Sequence, residues 1–301
     1  MSHLIEKKNI EARGLELKKE NVTKCIYKGL PVIEGNAETE LNQFPNQSFD
    51  YVILSQTLQA FYNPERVLKD LLRIGKSVIK SGDNGLNWSS PERLPDGILG
   101  PIKNKPVRLS DGTIISSSST ETNTRPSNWR IHFELSADNG ENWNVIRPAP
   151  VNSDSEIHAI QPSILIHTDG HLQALGRSRS DYVFQTWSYD SGLSWSPVTL
   201  TSLLNPSAGT DALTLSDGRH LIVYNHTPDE RSPLNVAVSD DGENWHAALV
   251  LENERGEYSY PAVIQTSDGL VHITYTWRRE LIKHVVVNPN ELNLTPISNW
   301  D

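Results

Sequence analysis

A tryptophan-ended motif recurs through most of this chain: "SGDNGLNW" at 81–88, "SADNGENW" at 136–143, "SYDSGLSW" at 188–195 and the looser "VSDDGENW" at 238–245. The starts at 81, 136, 188 and 238 lie 50 to 55 residues apart. A second series alternates with the first: "LSDGTI" (109–114), "HTDGHL" (167–172), "LSDGRHL" (215–221) and "TSDGLV" (266–271). Its Asp-Gly pairs supply the positive-φ positions of tight hairpins. Two hairpins per unit mean four strands, and four-stranded units at this period are the sequence sign of a β-propeller. In the tryptophan motif Asp and Ser side chains bond turn amides, Gly takes the left-handed position and Trp packs between sheets, so the motif reads as structural. In the fourth copy Asp240, Gly242 and Trp245 are read as the motif positions, with Val238 in the Ser place.

Residues 1–78 read differently. Strands are expected at 14–18, 30–35 and in the apolar run "FDYVILSQ" (49–56), with helices at 19–29, closed by Gly29, and at 63–76. The predicted organisation is therefore an α/β fragment over 1–78 and a mainly β propeller over 79–301. A net charge of −10, from 37 acidic and 27 basic residues, argues against a nucleic-acid or anionic-membrane partner. One cysteine, Cys25, excludes an intrachain disulfide. With no apolar leader and no long apolar run, a cytoplasmic location is the default expectation. An incomplete propeller would expose unpaired sheet edges, which predicts possible oligomerisation.

The form S-x-D-x-G-x-x-W resembles the Asp-box, or BNR repeat, of sialidase-like propellers. "GPIKNKPVRLSDGTI", "IHAIQPSILIHTDGHLQALGRSR" and "EYSYPAVIQTSDGLVHITYTWRR" extend the likeness over about 80–287. The stretch from about 12 to 78, "FDYVILSQTLQ" above all, is similar to MetW-type methionine-biosynthesis proteins of class I methyltransferase fold. The second resemblance implies that Glu16 is a ribose-binding acid, but the glycine-rich first loop would lie upstream of Gly14, and Asn36 stands where an acid is usual. No cofactor is therefore expected. The first resemblance implies a six-bladed sialidase fold entered at its first Asp-box. A partial first blade, three fuller ones and part of a fifth can be counted, as in a fusion of two truncated genes. The function it implies is a glycoside hydrolase for a polar or anionic sugar, impaired by the missing first-blade arginine and acid/base. A non-catalytic carbohydrate-binding propeller and a MetW-like module are the alternatives.

Inner strands of successive blades converge on one axis, so equivalent repeat positions line one pocket. Eight residues before Asp169 is Gln161, and eight before Asp268 is Tyr260. The family places a glutamate and the tyrosine nucleophile there. Arg177, sixteen after Gln161, and Arg231 fall where carboxylate-binding arginines are expected. A guanidinium pair holds a carboxylate bidentately, and a phenol attacks an anionic sugar without charge repulsion. Phenol, with a pKa near 10, needs a base. Gln161 cannot be one, so His158, Glu257 and Tyr258 are the candidates. Strand alternation puts Tyr258 on the face of Tyr260 and Glu257 on the other. Lys105 and Asp211 are expected to line the same pocket. No histidine spacing indicates a metal site.

Overall fold

The computed structural model describes residues 13–44, 48–49, 94–152 and 155–300. The chain divides into two compact units, Met1–Leu94 and Pro95–Asp301.

In the first unit, β1 (Gly14–Glu16) and β2 (Val32–Glu34) pair in parallel, with Gly14 opposite Val32. Parallel neighbours need a crossover, and α1 (Lys19–Tyr27) supplies it. Gly29 ends the helix at φ +69, where a side chain would clash with its own backbone. Its amide reaches the Ile26 carbonyl at 2.9 Å and that of Leu30 reaches Cys25 at 3.0 Å, satisfying carbonyls the helix leaves open. A short α2 (Ala37–Glu40) follows, and Leu15, Ala37, Leu41, Phe44 and Phe49 cluster into a small core. The strand–helix–strand order expected for 14–35 is present. The rest of the strand expected over 49–56, the helix over 63–76 and the tryptophan motif at 81–88 lie outside the described residues.

The second unit is a series of antiparallel sheets. The first holds β3 (Val107–Arg108), β4 (Ile114–Glu121), β5 (Trp129–Ser136) and β6 (Asn144–Ile146). The second holds β7 (Ala159–Ile166), β8 (Leu172–Ser178), β9 (Tyr182–Ser188) and β10 (Thr199–Leu204). The third holds β11 (Asp211–Thr214), β12 (His220–Tyr224), β13 (Leu234–Ser239) and β14 (Trp245–Glu252). The last has three strands, β15 (Tyr258–Gln265), β16 (Val271–Trp277) and β17 (Leu281–Val287). After it the chain returns, so that β18 (Thr295–Pro296) pairs with β14. These four sheets are the three fuller blades and the partial last one counted in the sequence.

The second and third sheets bury both faces because each is sandwiched between neighbours. Ile115, Phe133 and Leu135 meet Ile164, Leu172, Phe184 and Trp195 between the first and second sheets. Leu165, Leu175 and Leu203 meet Ile222, Tyr224 and Trp245 between the second and third. Leu221, Val223 and Val236 meet Tyr258, Val263 and Ile273 between the third and fourth. Phe133 and Trp195 stack with ring centroids 3.7 Å apart. The Trp of one Asp-box is thus the bolt between its own blade and the preceding one. Beyond the last sheet, Ile264, Ile282 and Val286 remain 52%, 46% and 47% exposed, and among the described residues β17 is an unpaired edge.

The Asp-boxes behave as their chemistry requires. Asp190 Oδ1 accepts from Ser188 Oγ (2.9 Å) and the Ser194 amide (2.8 Å), and Trp195 Nε1 donates to the Gly192 carbonyl (3.1 Å). The fourth box corrects the sequence register. Ser239, not Val238, provides the hydroxyl, and Asp241, not Asp240, accepts it at 3.0 Å. Asp241 Oδ1 also takes the amides of Glu243 (2.9 Å) and Asn244 (2.7 Å). This copy is one residue shorter between Asp and Gly, and Val238 is needed in the core. Asp241→Ala is therefore expected to lower Tm by several degrees, at about 2–4 °C per kcal/mol lost in a unit of this size, and Asp240→Ala to leave it within about 1 °C. Equal effects in a thermal melt would refute the corrected register.

Between the second and third sheets His220 Nε2 lies 3.2 Å from His167 Nδ1, with Thr214 Oγ1 3.0 Å from its other nitrogen. Burial, aided by His167, holds the His220 pKa down to about 4. The unfolded chain takes up this proton near pH 6.5, the folded one only near pH 4, so stability is full above pH 6.5 and falls as the pH drops through that window. His220→Gln is expected to flatten the dependence of Tm on pH between 6.5 and 4. An unchanged slope would mean that His220 does not control it.

Candidate active site

In each blade the inner strand enters at one end of the propeller and runs toward its Asp-Gly hairpin at the other. At the entry end the backbone departs from a regular strand. Gln161 has φ +58 and Tyr260 φ +52, each within a register shift, between Ile160 and Ser163 in β7 and between Ser259 and Ala262 in β15. A left-handed residue other than glycine costs about 1–2 kcal/mol, and such strain collects at functional sites. Pro162 and Pro261 follow the two residues, and proline has no N–H for the bulge to orphan. The same eight-residue offset from Asp111 lands on Lys103, also left-handed at φ +71, and from Asp217 on Gly209. These four positions ring the axis.

Tyr260 is bracketed by two arginines. Arg177, 8% exposed, is near enough to Tyr260 for the two side chains to interact electrostatically, and its Nη1 donates to the Ser207 carbonyl at 3.3 Å. Burial lowers the Arg177 pKa, while Tyr260 and Glu121 oppose the shift; it stays charged, as arginine does. Its carbon lies 5.0 Å from the Trp129 ring centroid. Arg231 stands 5.4 Å from the Tyr260 ring centroid and bonds Glu257 Oε1 at 3.2 Å. Glu257 is shared with Arg279 at 2.6 Å. Beside them opens a cleft of about 340 Å³ lined by Glu230, Arg231, Arg255, Gly256, Glu257 and Arg279. Gln161 sits on β7 of the second sheet, and its buried side-chain oxygen has no partner among the described residues.

The remaining expected residues are placed differently. The alternation argument fails in β15 because the bulge at Tyr260 breaks the period of two. Tyr258 is fully buried in the core between blades, its hydroxyl 3.4 Å from Arg278, whereas Glu257 reaches the arginine that covers Tyr260. His158 does not bend inward as a base: its Nδ1 accepts the Trp129 amide at 3.1 Å and thereby holds the ring on which Arg177 rests. Lys105 and Asp211 form an ion pair at 3.0 Å. Asp211 also accepts Ser163 Oγ (2.8 Å) and the amides of Ala212 (2.9 Å) and Val263 (2.8 Å), so it staples three inner strands. In the first unit the Glu16 carboxylate is turned to the Lys18 amide (2.9 Å) and Asn21 (3.4 Å), bonds that fix the entry to α1. Among the described residues no group of three or more His, Cys, Asp or Glu side chains could hold a metal, and no helix is long and apolar enough to cross a membrane.

Lys103 and Trp129 were missed at the sequence level. The hairpin offset that finds Gln161 and Tyr260 finds Lys103 too, whereas Lys105 faces the neighbouring strands.

The fold has counterparts. The chain belongs to the BNR repeat-like domain family, whose model matches residues 46–273. A methyltransferase domain model matches residues 3–78. Anhydrosialidase of Macrobdella decora is 23% identical over 258 residues, covering 73% of this chain and 31% of the relative. The bifunctional methionine biosynthesis protein MetXA/MetW of Rhodopirellula baltica is 38% identical over 71 residues, 24% of this chain and 11% of the relative. Among solved structures, the intramolecular trans-sialidase of Ruminococcus gnavus in complex with oseltamivir carboxylate has a TM-score of 0.56 at 20% identity, over 72% of this chain and 51% of that one. A protein of unknown function from Dyadobacter fermentans has a TM-score of 0.54 at 20% identity, over 67% of this chain and 59% of that one. The chain therefore spans under two thirds of each of these relatives. The sialidase-like propeller is the shared fold, with a methyltransferase-like segment ahead of it.

The strain at Gln161 is testable without a ligand. Gln161→Gly relieves the left-handed backbone and removes a buried unpartnered oxygen, and is expected to stabilise by about 1 kcal/mol. A melt in which Tm falls would show that the side chain holds the fold.

Proposed function

We propose that the second unit is a sialidase-like glycoside hydrolase, or the greater part of one, acting on a carboxylated sugar with Tyr260 as nucleophile. The observation that carries this reading is the Tyr260 side chain, set by a strained backbone against the buried Arg177 guanidinium and under Arg231. Arg177 and Arg231 would hold the sugar carboxylate. The Tyr260 oxygen would form a bond to the anomeric carbon as the glycosidic C–O bond breaks. The leaving oxygen takes up a proton and the phenol gives one to a base. Water then cleaves the tyrosyl–sugar bond and restores the phenol. With Gln161 unable to take the phenol proton and His158 and Tyr258 engaged elsewhere, Glu257 is the candidate base, acting once Arg231 turns from it to the substrate.

One observation favours a second reading, a carbohydrate-binding propeller without turnover. The amide of Gln161 occupies the position where the family carries a carboxylate. Tyr260→Phe separates the two. Under the hydrolase reading it lowers release of a fluorogenic glycoside of a 2-keto sugar acid by at least about 10³-fold and changes affinity for the free sugar less than about threefold. Binding by wild type and variant alike, with no release by either, would establish the binding module instead.

A further inference from the structure

Lys103 performs a task that neither reading assigns. Its Nζ donates to Asn104 Oδ1 (2.9 Å), the Thr210 carbonyl (2.7 Å) and the Pro261 carbonyl (2.9 Å). Asn104, itself 3% exposed, donates from Nδ2 to the Gln161 carbonyl at 2.8 Å. Two consecutive residues of the bend that leads into β3 of the first blade thus bond the chain at the inner strands of the second, third and fourth blades, at the level where Gln161 and Tyr260 are left-handed. The lysine stem shares this space with the reactive ring. A Cβ built on Gly209 would stand 3.0 Å from Lys103 Cε and 3.3 Å from Tyr260 Cδ1, so a side chain at this axial position would press on both.

We propose that Lys103 and Asn104 are positioning residues, an axial hub that fixes Tyr260 through the Pro261 carbonyl and Gln161 through its own carbonyl. This rests on Tyr260 being the reactive group. All three ammonium donors find acceptors within the protein, one side-chain oxygen and two backbone carbonyls, so the hub ties the chain's own strands together. It is an expensive way to tie strands. Burial pushes the Lys103 pKa down to about 8, with Asp211 opposing and Arg177 and Lys105 adding to the shift. The unfolded chain holds the proton up to about pH 10.4, so the buried charge reduces stability at neutral pH and the deficit shrinks as pH rises from 8. An apolar side chain would pack the axis at less cost. What the ammonium adds is direction, since three donors select one arrangement of the strands that carry the site.

Hydrogen exchange on the full chain tests this. In Lys103→Met the amides of Gln161, Ala212, Ser259 and Val263 are expected to exchange at least tenfold faster, and those of Gly140, Gly192 and Gly242 at the Asp-box end to keep their rates. A uniform change across both ends, or none, would overturn the hub. Should Lys103→Met fail to fold, Asn104→Ala makes the same discrimination: Gln161 is expected to lose protection and Val263 to keep it, and equal loss at both would overturn the proposal. With a glycoside that the wild type turns over, Lys103→Met is expected to lower kcat at least tenfold with KM within twofold. An unchanged kcat, or a loss confined to KM, would contradict positioning. If no glycoside is turned over, the hydrolase reading fails by itself, and exchange still decides whether the hub exists.

Discussion

Four inner strands converge on one axis, and that convergence must be satisfied by backbone carbonyls and amides that no regular ladder can pair across a propeller centre. Here two charges do it, one buried and one half-buried. Asp211 collects amides and a hydroxyl from three blades, and the Lys103 ammonium spans carbonyls of the third and fourth. Everything at the entry end hangs on these contacts. The left-handed residues persist only because surrounding structure overdetermines them, and the two arginines meet Tyr260 because its strand bulges at that level. The opposite end is governed by different chemistry, the Asp-Gly hairpins and Asp-boxes, whose Trp rings lock blade to blade.

This division of labour separates stability from chemistry. Asp-box carboxylates have no free role: hydrogen bonds from the Asn142 amide and side chain hold Asp138 at a pKa of about 2. They are structural hardware, present in each of the first three sheets. Non-repeating side chains occupy the entry end, where Lys103, Gln161, Gly209 and Tyr260 occupy one repeat position and differ in chemistry. Sequence variation at a structurally repeated position is what an axial site needs, since each blade contributes a different group to one pocket.

Much of this was legible from the residues. Two interleaved turn series fixed four-stranded sheets and their order, because Asp-Gly and Asp-box turns are local devices whose chemistry does not depend on tertiary context. The offset from the hairpin located Gln161 and Tyr260 for the same reason. What local patterning missed involves breaks in regularity. The bulge at Tyr260 invalidated strict alternation, sending Tyr258 into the core and Glu257 to Arg231. A one-residue deletion shifted the fourth box to Ser239 and Asp241. The ion pair of Lys105 with Asp211 spans more than a hundred residues, and no spacing in the sequence marks it.

The most direct test of Tyr260 as the reactive centre is peptide mass spectrometry after incubation of the full chain with a 2-keto sugar acid fluoride carrying a second fluorine beside the anomeric carbon, which slows breakdown of a covalent intermediate. A sugar adduct on Tyr260, absent from Tyr260→Phe, is the predicted result. Full release of fluoride with no adduct on any tyrosine, or an adduct on a carboxylate, would contradict it.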